Sequence, residues 1–495
     1  MKLQELAGLL QLSRLIGNGD SEINGIQTDS RKVQPGDLFL CIPGFVQDGH
    51  DFAAAAAERG AAALVAEREL PVALPTLLVK DSRHAMAVLA AHFYGYPSET
   101  MKLIGVTGTN GKTTTCFILE QALADLGWRT GLMGTIAMKV GSEWTEAVRT
   151  TQEAHDLQRN LRRMADAGTD ACLMEVSSHA LVLGRVKGCT FRTAIFTNLT
   201  QDHLDFHGTM VNYAAAKGLF FSRLSNSYQA DPAKRQYAVL NGDDPVSVQY
   251  RAASAVEVIT YGLSEGCDVR ATNIRFSSQG TEFRVASYAG EIDLKMKLIG
   301  KFNVYNALAA ISSLLIEGVS LEAIQGSMGR VRVVPGRLEL VDGAVGYSVV
   351  LDYAHTPDGL ENALSTIAEL AEKRIITVFG CGGDRDRGKR PQMGHIAARY
   401  STYVIATSDN PRSEPPEAIL QEIEPGLLGG GLDRSRYVLE PDRRKAIQKA
   451  IEMASPGDVV LIAGKGHETT QTIGSQTIHF DDRIEAQEAI RGTIK

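Results

Sequence analysis

At 495 residues the chain is long enough for about three domains. Hydrophobic residues make up 44% and charged residues 22%, the balance of a globular protein with several cores. The net charge of −7 argues against a nucleic-acid surface, so a polyanionic ligand needs a local basic site. Six scattered cysteines without a C-x-x-C pair argue against a disulfide framework or structural zinc and fit a reducing cytoplasm. No run approaches the ~20 apolar residues of a membrane span, and no membrane insertion is expected.

The opening stretch MKLQELAGLLQLSRLIG is interrupted by Gln11, Ser13 and Arg14 and does not read as a secretory signal. In IQTDSRKVQPGDLFLCIPG a QPGD turn precedes the apolar run LFLCI, with Ser30 and Arg31 just before it; on these residues alone it reads as a hairpin. The helical pattern SRHAMAVLAAHFYG stops at Gly95, and Pro97 follows, which puts a first domain boundary near residue 98. Thereafter apolar strand-like runs alternate with helical patterns, predicting α/β architecture with mostly parallel sheets.

LIGVTGTNGKTTTCFILEQALADLG reads as strand, glycine-rich turn and amphipathic helix, with Gly127 past the helix end. Backbone N–H groups of Gly108, Thr109, Asn110, Gly111, Lys112, Thr113 and Thr114 at a helix N-terminus suit a phosphate. Lys112 adds a point charge, and the Thr113 hydroxyl suits Mg²⁺. The phosphate-loop pattern is imperfect, because Val106 stands where its first glycine belongs. Glu175 in CLMEVSSHAL sits near a strand end below this loop, where a carboxylate can hold Mg²⁺. His203 in TNLTQDHLDFHG and Lys217 in NYAAAKGLFF read, by themselves, as a local hydrogen-bonding group and a snorkelling helix lysine. Asn303 and Asn306 open a helix in GKFNVYNALAA.

Pro335 and Gly336 in VRVVPGRLELV mark the second boundary. The expected domains are therefore 1–98, 99–334 and 335–495. The last contains four runs of one design, an apolar strand followed by a polar turn: YSVVLDYAHTPD, IITVFGCGGDRD, YVIATSDNPR and DVVLIAGKGHE. Ligands of open α/β sheets bind at such strand ends. Asp352, Arg385, Asp409, Arg412, Lys465 and Glu468 are thus expected on one rim. Arginines clamp carboxylates and Glu468 receives an ammonium, so an amino acid with a second amino-acid head fits.

TGTNGKTTT, MEVSSHAL, TNLTQDHLDFHG, YAAAKGLF, GKFNVYNALAA, PGRLE, LDYAHTPDGL, GCGGDRDRGKRPQMG, SDNPR and AGKGHE together resemble the Mur ligases and their folylpolyglutamate synthetase relatives. The resemblance implies three domains: an N-terminal UDP-binding domain, a central P-loop NTPase-like domain and a C-terminal Rossmann-like domain. It is nearest to the members that add the third residue of the peptidoglycan stem peptide. It implies ATP and Mg²⁺ as cofactors, and UDP-MurNAc-L-Ala-D-Glu and meso-diaminopimelate as substrates of a cytoplasmic monomer. Lys112, Glu175, His203 and Lys217 become the expected catalytic set. Thr113, Glu175, His203 and a carbamylated Lys217 are its metal ligands. Asn303, Arg337 and Asp352 join the ATP site. Ser30, the loop Phe45 to Gln47, Thr150, Thr151, Ser177 and Arg185 are expected at the UDP substrate. Gln152 and Leu183 depart from common family patterns there. Arg385, Asp409, Asn410, Pro411, Arg412, Gly464 and Glu468 are expected at the incoming amino acid, with Arg412 reading the distal carboxylate that lysine lacks. A lysine-adding ligase, a folylpolyglutamate synthetase-like enzyme and an ATP-switched binding protein are the rival readings.

Overall fold

The computed structural model describes residues 1–44, 47–147, 149–277, 280–332 and 334–493. Two compact units are present. The first takes residues 1–107, 127–194 and 219–236, and the second takes 108–126, 195–218 and 237–495.

In the first unit, a five-stranded sheet runs in the order Ser13–Ile16, Thr76–Val79, Ala63–Ala66, Asp37–Leu40, Gly25–Gln27. The segment around Ser30 does not form a hairpin. Gly25–Gln27 and Asp37–Leu40 pair in parallel, joined through the 3₁₀ turn Ser30–Lys32. Asp29 caps that turn by accepting from the Arg31 backbone N–H, so the polar residues make the crossover themselves. Leu38, Phe39 and Leu40 are all buried, as expected of a strand covered on both faces. The helix Ser82–Phe93 starts on an Asp81 cap and packs Met86, Leu89 and Ala90 against Leu38, Val65 and Leu77. The unit also holds three parallel strands, with Ala171–Glu175 between Lys102–Thr107 and Thr130–Met133. Glu175 ends the middle one, so its carboxylate emerges at the strand's C-terminal tip.

In the second unit, Tyr237–Asn241 and Glu257–Gly262 run parallel, followed by an antiparallel meander through Val269–Ser277, Gly280–Ser287 and Gly290–Met296. Its other sheet runs in the order Glu339–Leu340, Ser348–Asp352, Val459–Ala463, Ile375–Cys381, Tyr403–Ser408, Tyr437–Glu440. All neighbours are parallel except the first pair. Strand alternation divides its core in two. Val350, Phe379, Val404 and Leu461 face Leu360, Met393 and Ile423 on one side. Leu351, Val378, Ile405 and Ile462 face Ile447 and Ile490 on the other. Helices on both faces of a parallel sheet are what the near-continuous apolar runs predicted.

Beneath the strand tips lies the fully buried pair Arg443–Asp482. Arg443 donates to both Asp482 oxygens (2.7 and 2.6 Å) and to the carbonyls of Ser408 (3.2 Å) and Ala463 (3.0 Å). It thereby ties two strand ends together immediately before Asp409 and Gly464. Asp482→Ala leaves this guanidinium uncompensated and is expected to destabilise the protein by about 3–5 kcal/mol, measured by denaturant unfolding.

Candidate active site

Gly108 (φ 148°) and Gly111 (φ 85°) bend the TGTNGK turn so that the helix Lys112–Asp125 starts directly beyond it. A side chain on Gly108 would collide with Thr197 Oγ1. Lys112 Nζ donates to the carbonyls of Gly108 (2.9 Å) and Thr109 (2.7 Å), which curls the ammonium over the loop. The Asn110 N–H donates to Asn198 Oδ1 (2.9 Å). A cavity of about 300 Å³ opens beside the turn, lined among others by Asn110, Gly111, Thr114, Asn306, Arg337 and Asp352.

Arg337 stacks on Tyr353, 4.7 Å from its ring centroid, and brings Nη2 to 3.4 Å from the Thr113 hydroxyl. Its buried Nε has no partner among the described residues. An orphaned guanidinium N–H beside a glycine-rich helix N-terminus fits a polyphosphate. Asp352 is pushed up to about 6 by burial, against the pull of Arg337 and the Leu338 N–H (2.8 Å). Asn303 sits a layer back: it donates to the Ile299 carbonyl (2.9 Å) and accepts from Asn306 (3.1 Å), and Asn306 is the one lining the cavity. Unforeseen in sequence are Asp358 and Thr356. Asn110 Nδ2 donates to Asp358 (2.6 Å), and Thr356 donates to Asn110 Oδ1 (3.4 Å).

Lys217 is fully buried, with Nζ donating to the Gly108 carbonyl (2.8 Å) and lying 4.5 Å from the Tyr213 ring centroid. Burial first, and Lys112 second, hold its ammonium well below the ordinary lysine range, against the pull of Asp202. His203 adopts φ 54° and places Nε2 3.3 Å from Asp202 Oδ2. Burial would raise the Asp202 carboxyl, but His203, His355 and Lys389 bring it down to about 2. Among the described residues, no three His, Cys, Asp or Glu side chains group to hold a metal. The hydroxyl of Thr113 and the carboxylate of Glu175 are hard oxygen donors that fit Mg²⁺, whereas an unmodified Lys217, a hydrogen-bond donor, does not.

Polar residues from several strand tips of the last sheet meet one another. Glu468 accepts from Lys465 (2.9 Å), Asn410 (3.0 Å) and Tyr353 (3.3 Å). Arg412 Nη1 donates to the Gly383 carbonyl (2.8 Å) and is half-buried rather than solvated. Burial and the proximity of Arg385 both push its charge toward loss, while Asp409 and Glu468 support it. Two guanidiniums and a carboxylate therefore share one rim. Gly464 (φ 118°) passes close to Asp409, where a Cβ would lie 2.7 Å from Oδ2. The Asn410 N–H is bound by Asp409 Oδ1 (2.7 Å), which sets the turn into Pro411.

In the first unit, Thr135 holds Glu175 through its N–H (2.7 Å) and hydroxyl (3.0 Å), and that hydroxyl lies 3.1 Å from Thr150 Oγ1. Thr151 donates to the Glu175 carbonyl (2.8 Å) and accepts from the Ser177 N–H (3.1 Å). Arg185 donates to the Thr151 carbonyl (3.2 Å) and pairs with Glu153 (2.9 Å). Thr150, Thr151, Ser177 and Arg185 thus form one polar cluster. Ser30 is buried in its 3₁₀ turn. Phe45 and Val46 of the expected uridine loop lie outside the described residues. Gln152, just before the helix Ala154–Asp166, accepts from Asn160 of that helix (2.8 Å), and Leu183 closes the short helix Ser178–Val182.

Fold and cradle define a nucleotide-binding α/β protein. Residues 106–314 match the Mur ligase middle domain, residues 336–466 the Mur ligase, glutamate ligase domain, and residues 22–94 the Mur ligase family, catalytic domain. The chain belongs to the Mur ligase family. It is 50% identical over 491 residues to the UDP-N-acetylmuramoyl-L-alanyl-D-glutamate--2,6-diaminopimelate ligase of Geobacillus kaustophilus, covering 99% of each chain. It is 51% identical over 496 residues to the ligase of the same name from Geobacillus thermodenitrificans, again covering 99% of each. A solved structure bearing that name superposes with a TM-score of 0.68 at 33% identity, covering 100% of this chain and 99% of the other.

Proposed function

We propose that the protein is an ATP-dependent ligase that adds meso-2,6-diaminopimelate to UDP-MurNAc-L-Ala-D-Glu in peptidoglycan precursor synthesis. The observation that carries this reading is the rim where Arg385, Arg412 and Glu468 meet, in a chain about half identical, end to end, to ligases of that name. The diaminopimelate head offers a carboxylate and an ammonium, the complements of those groups.

The γ-carboxylate of D-Glu attacks the terminal phosphorus of ATP, and ADP leaves with the broken P–O pair. The amine of diaminopimelate then attacks the acyl phosphate carbon, phosphate departs, and the amine proton is lost as the amide forms. Lys112, Arg337 and the turn N–H groups bind the phosphates and hold them in line. Asp352 and the asparagines of the cavity orient the nucleoside end. Thr151, Ser177 and Arg185 bind the muramoyl dipeptide. Thr113, His203 and Lys217 are the residues that would hold Mg²⁺, the Glu175 carboxylate being a further oxygen donor of the right kind, and the ion would neutralise charge on the transferring phosphoryl group. Lys217 joins that set as a carbamate: its neutral amine bonds to the carbon of CO₂ and releases a proton, and the amine thereby becomes an anionic oxygen donor.

No helix among the described residues is long and apolar enough to cross a membrane, and we place the reaction in the cytoplasm, where ATP is available. The test is phosphate release from ATP. It is expected to require UDP-MurNAc-L-Ala-D-Glu and diaminopimelate together, and to fall to background when EDTA removes the divalent ion. Release from ATP alone would favour a nucleotide-switched binding protein.

A further inference from the structure

Arg390 is a charge in GDRDRGKRP whose side chain is fully buried. It donates to both oxygens of Glu414 (2.9 and 2.8 Å), to Glu422 (2.8 Å) and to the Gly382 carbonyl (3.2 Å). Gly382 begins the turn that bears Arg385, and Glu414 ends the turn that bears Arg412. Further bonds close the gap between the two turns. Glu414 also accepts from the Asp384 N–H (2.6 Å). Asp384 in return accepts from the Ser413 hydroxyl (2.6 Å) and N–H (3.2 Å). The Gly383 N–H donates to the Asn410 carbonyl (2.9 Å), and the Gly383 carbonyl accepts from Arg412 itself.

Two residues in this junction occupy the left-handed region without being glycine: Asp384 (φ 54°) and Arg412 (φ 53°). Such a backbone is strained for a residue with a side chain and persists only where its surroundings over-determine it. Here the surroundings are the cross-turn bonds. A lysine at 390 would reach one acceptor at a time, whereas the planar fork of arginine spans both turns.

We infer that Arg390 and Glu414, with Asp384 and Ser413, form a clamp that fixes the spacing of Arg385 and Arg412 and thereby sets selectivity for the doubly headed amino acid. This rests on the ligase reading above. None of the four touches the reacting atoms; they are positioning residues.

The experiment compares wild type, Glu414→Ala, Ser413→Ala and Arg390→Lys in the ligation assay, after thermal melting has established which variants fold. Glu414→Ala and Arg390→Lys are expected to raise KM for diaminopimelate about tenfold, the equivalent of one lost charge-assisted contact, with KM for ATP within about twofold. Their preference for diaminopimelate over L-lysine falls by a similar factor. Ser413→Ala, which removes a single hydroxyl, moves both quantities about threefold in the same direction. A scaffold role alone would lower Tm and leave the diaminopimelate-to-lysine ratio intact. If Glu414→Ala and Arg390→Lys do not fold, Ser413→Ala decides. Folded variants with wild-type KM and wild-type selectivity overturn the clamp. A wild-type enzyme that does not ligate diaminopimelate overturns the ligase reading instead.

Discussion

Lys217→Ala is expected to reduce ligation by about a thousandfold, the loss of several kcal/mol of charge stabilisation around the phosphoryl group. On the proposed ligase reading, the change acts on catalysis. Lys217 is sealed from water, hydrogen-bonded to the first carbonyl of the phosphate turn, and crowded by Lys112. An ammonium there is disfavoured, and the neutral amine is the form that adds CO₂. Alanine leaves a space that bicarbonate cannot restore, because no amine remains to carbamylate. Short carboxylates such as formate or acetate supply the missing oxygens and recover part of the rate. Full activity of the variant would remove Lys217 from the site.

Arg412→Ala is expected to lower kcat/KM for diaminopimelate by about a hundredfold, as two charge-assisted bonds to a carboxylate are lost. L-lysine, which has no distal carboxylate, loses far less, so the ratio of the two kcat/KM values collapses. Arg412 is prepared for this role by its left-handed backbone, by the Gly383 carbonyl, and by the strand at Ile473. Its N–H donates to Thr472 (3.1 Å), and its carbonyl accepts from Gly474 (2.6 Å). Equal losses for both amino acids, read from initial rates, would show that Arg412 shapes the rim without contacting the distal carboxylate.

The α/β class was legible because strands buried on both faces must be apolar throughout, and runs such as IITVFG have no other economical explanation. The phosphate turn was legible because Gly-Lys-Thr at a strand-to-helix junction is local in sequence. The rim was legible strand by strand, since each tip carried its polar residues immediately after the apolar run. What stayed hidden depends on partners far apart in the chain. Asn110 meets Asp358 across 248 positions. Arg390 is indistinguishable from its exposed neighbour Arg387, which also pairs with Glu422, until its burial and its bonds to Glu414 are seen. The burial of Lys217 follows from packing beneath the turn, which periodicity does not report. The segment around Ser30 misleads for another reason: turn residues serve a 3₁₀ crossover as well as a hairpin, and only the pairing of Gly25–Gln27 with Asp37–Leu40 separates the two.

The central claim is that this rim selects an amino acid with two heads. It is tested by supplying the purified protein with ATP, Mg²⁺ and UDP-MurNAc-L-Ala-D-Glu, and measuring amide formation with meso-diaminopimelate and with L-lysine in parallel. Turnover of diaminopimelate, with kcat/KM for lysine lower by about a hundredfold or more, is the predicted result. Comparable turnover of the two would contradict it.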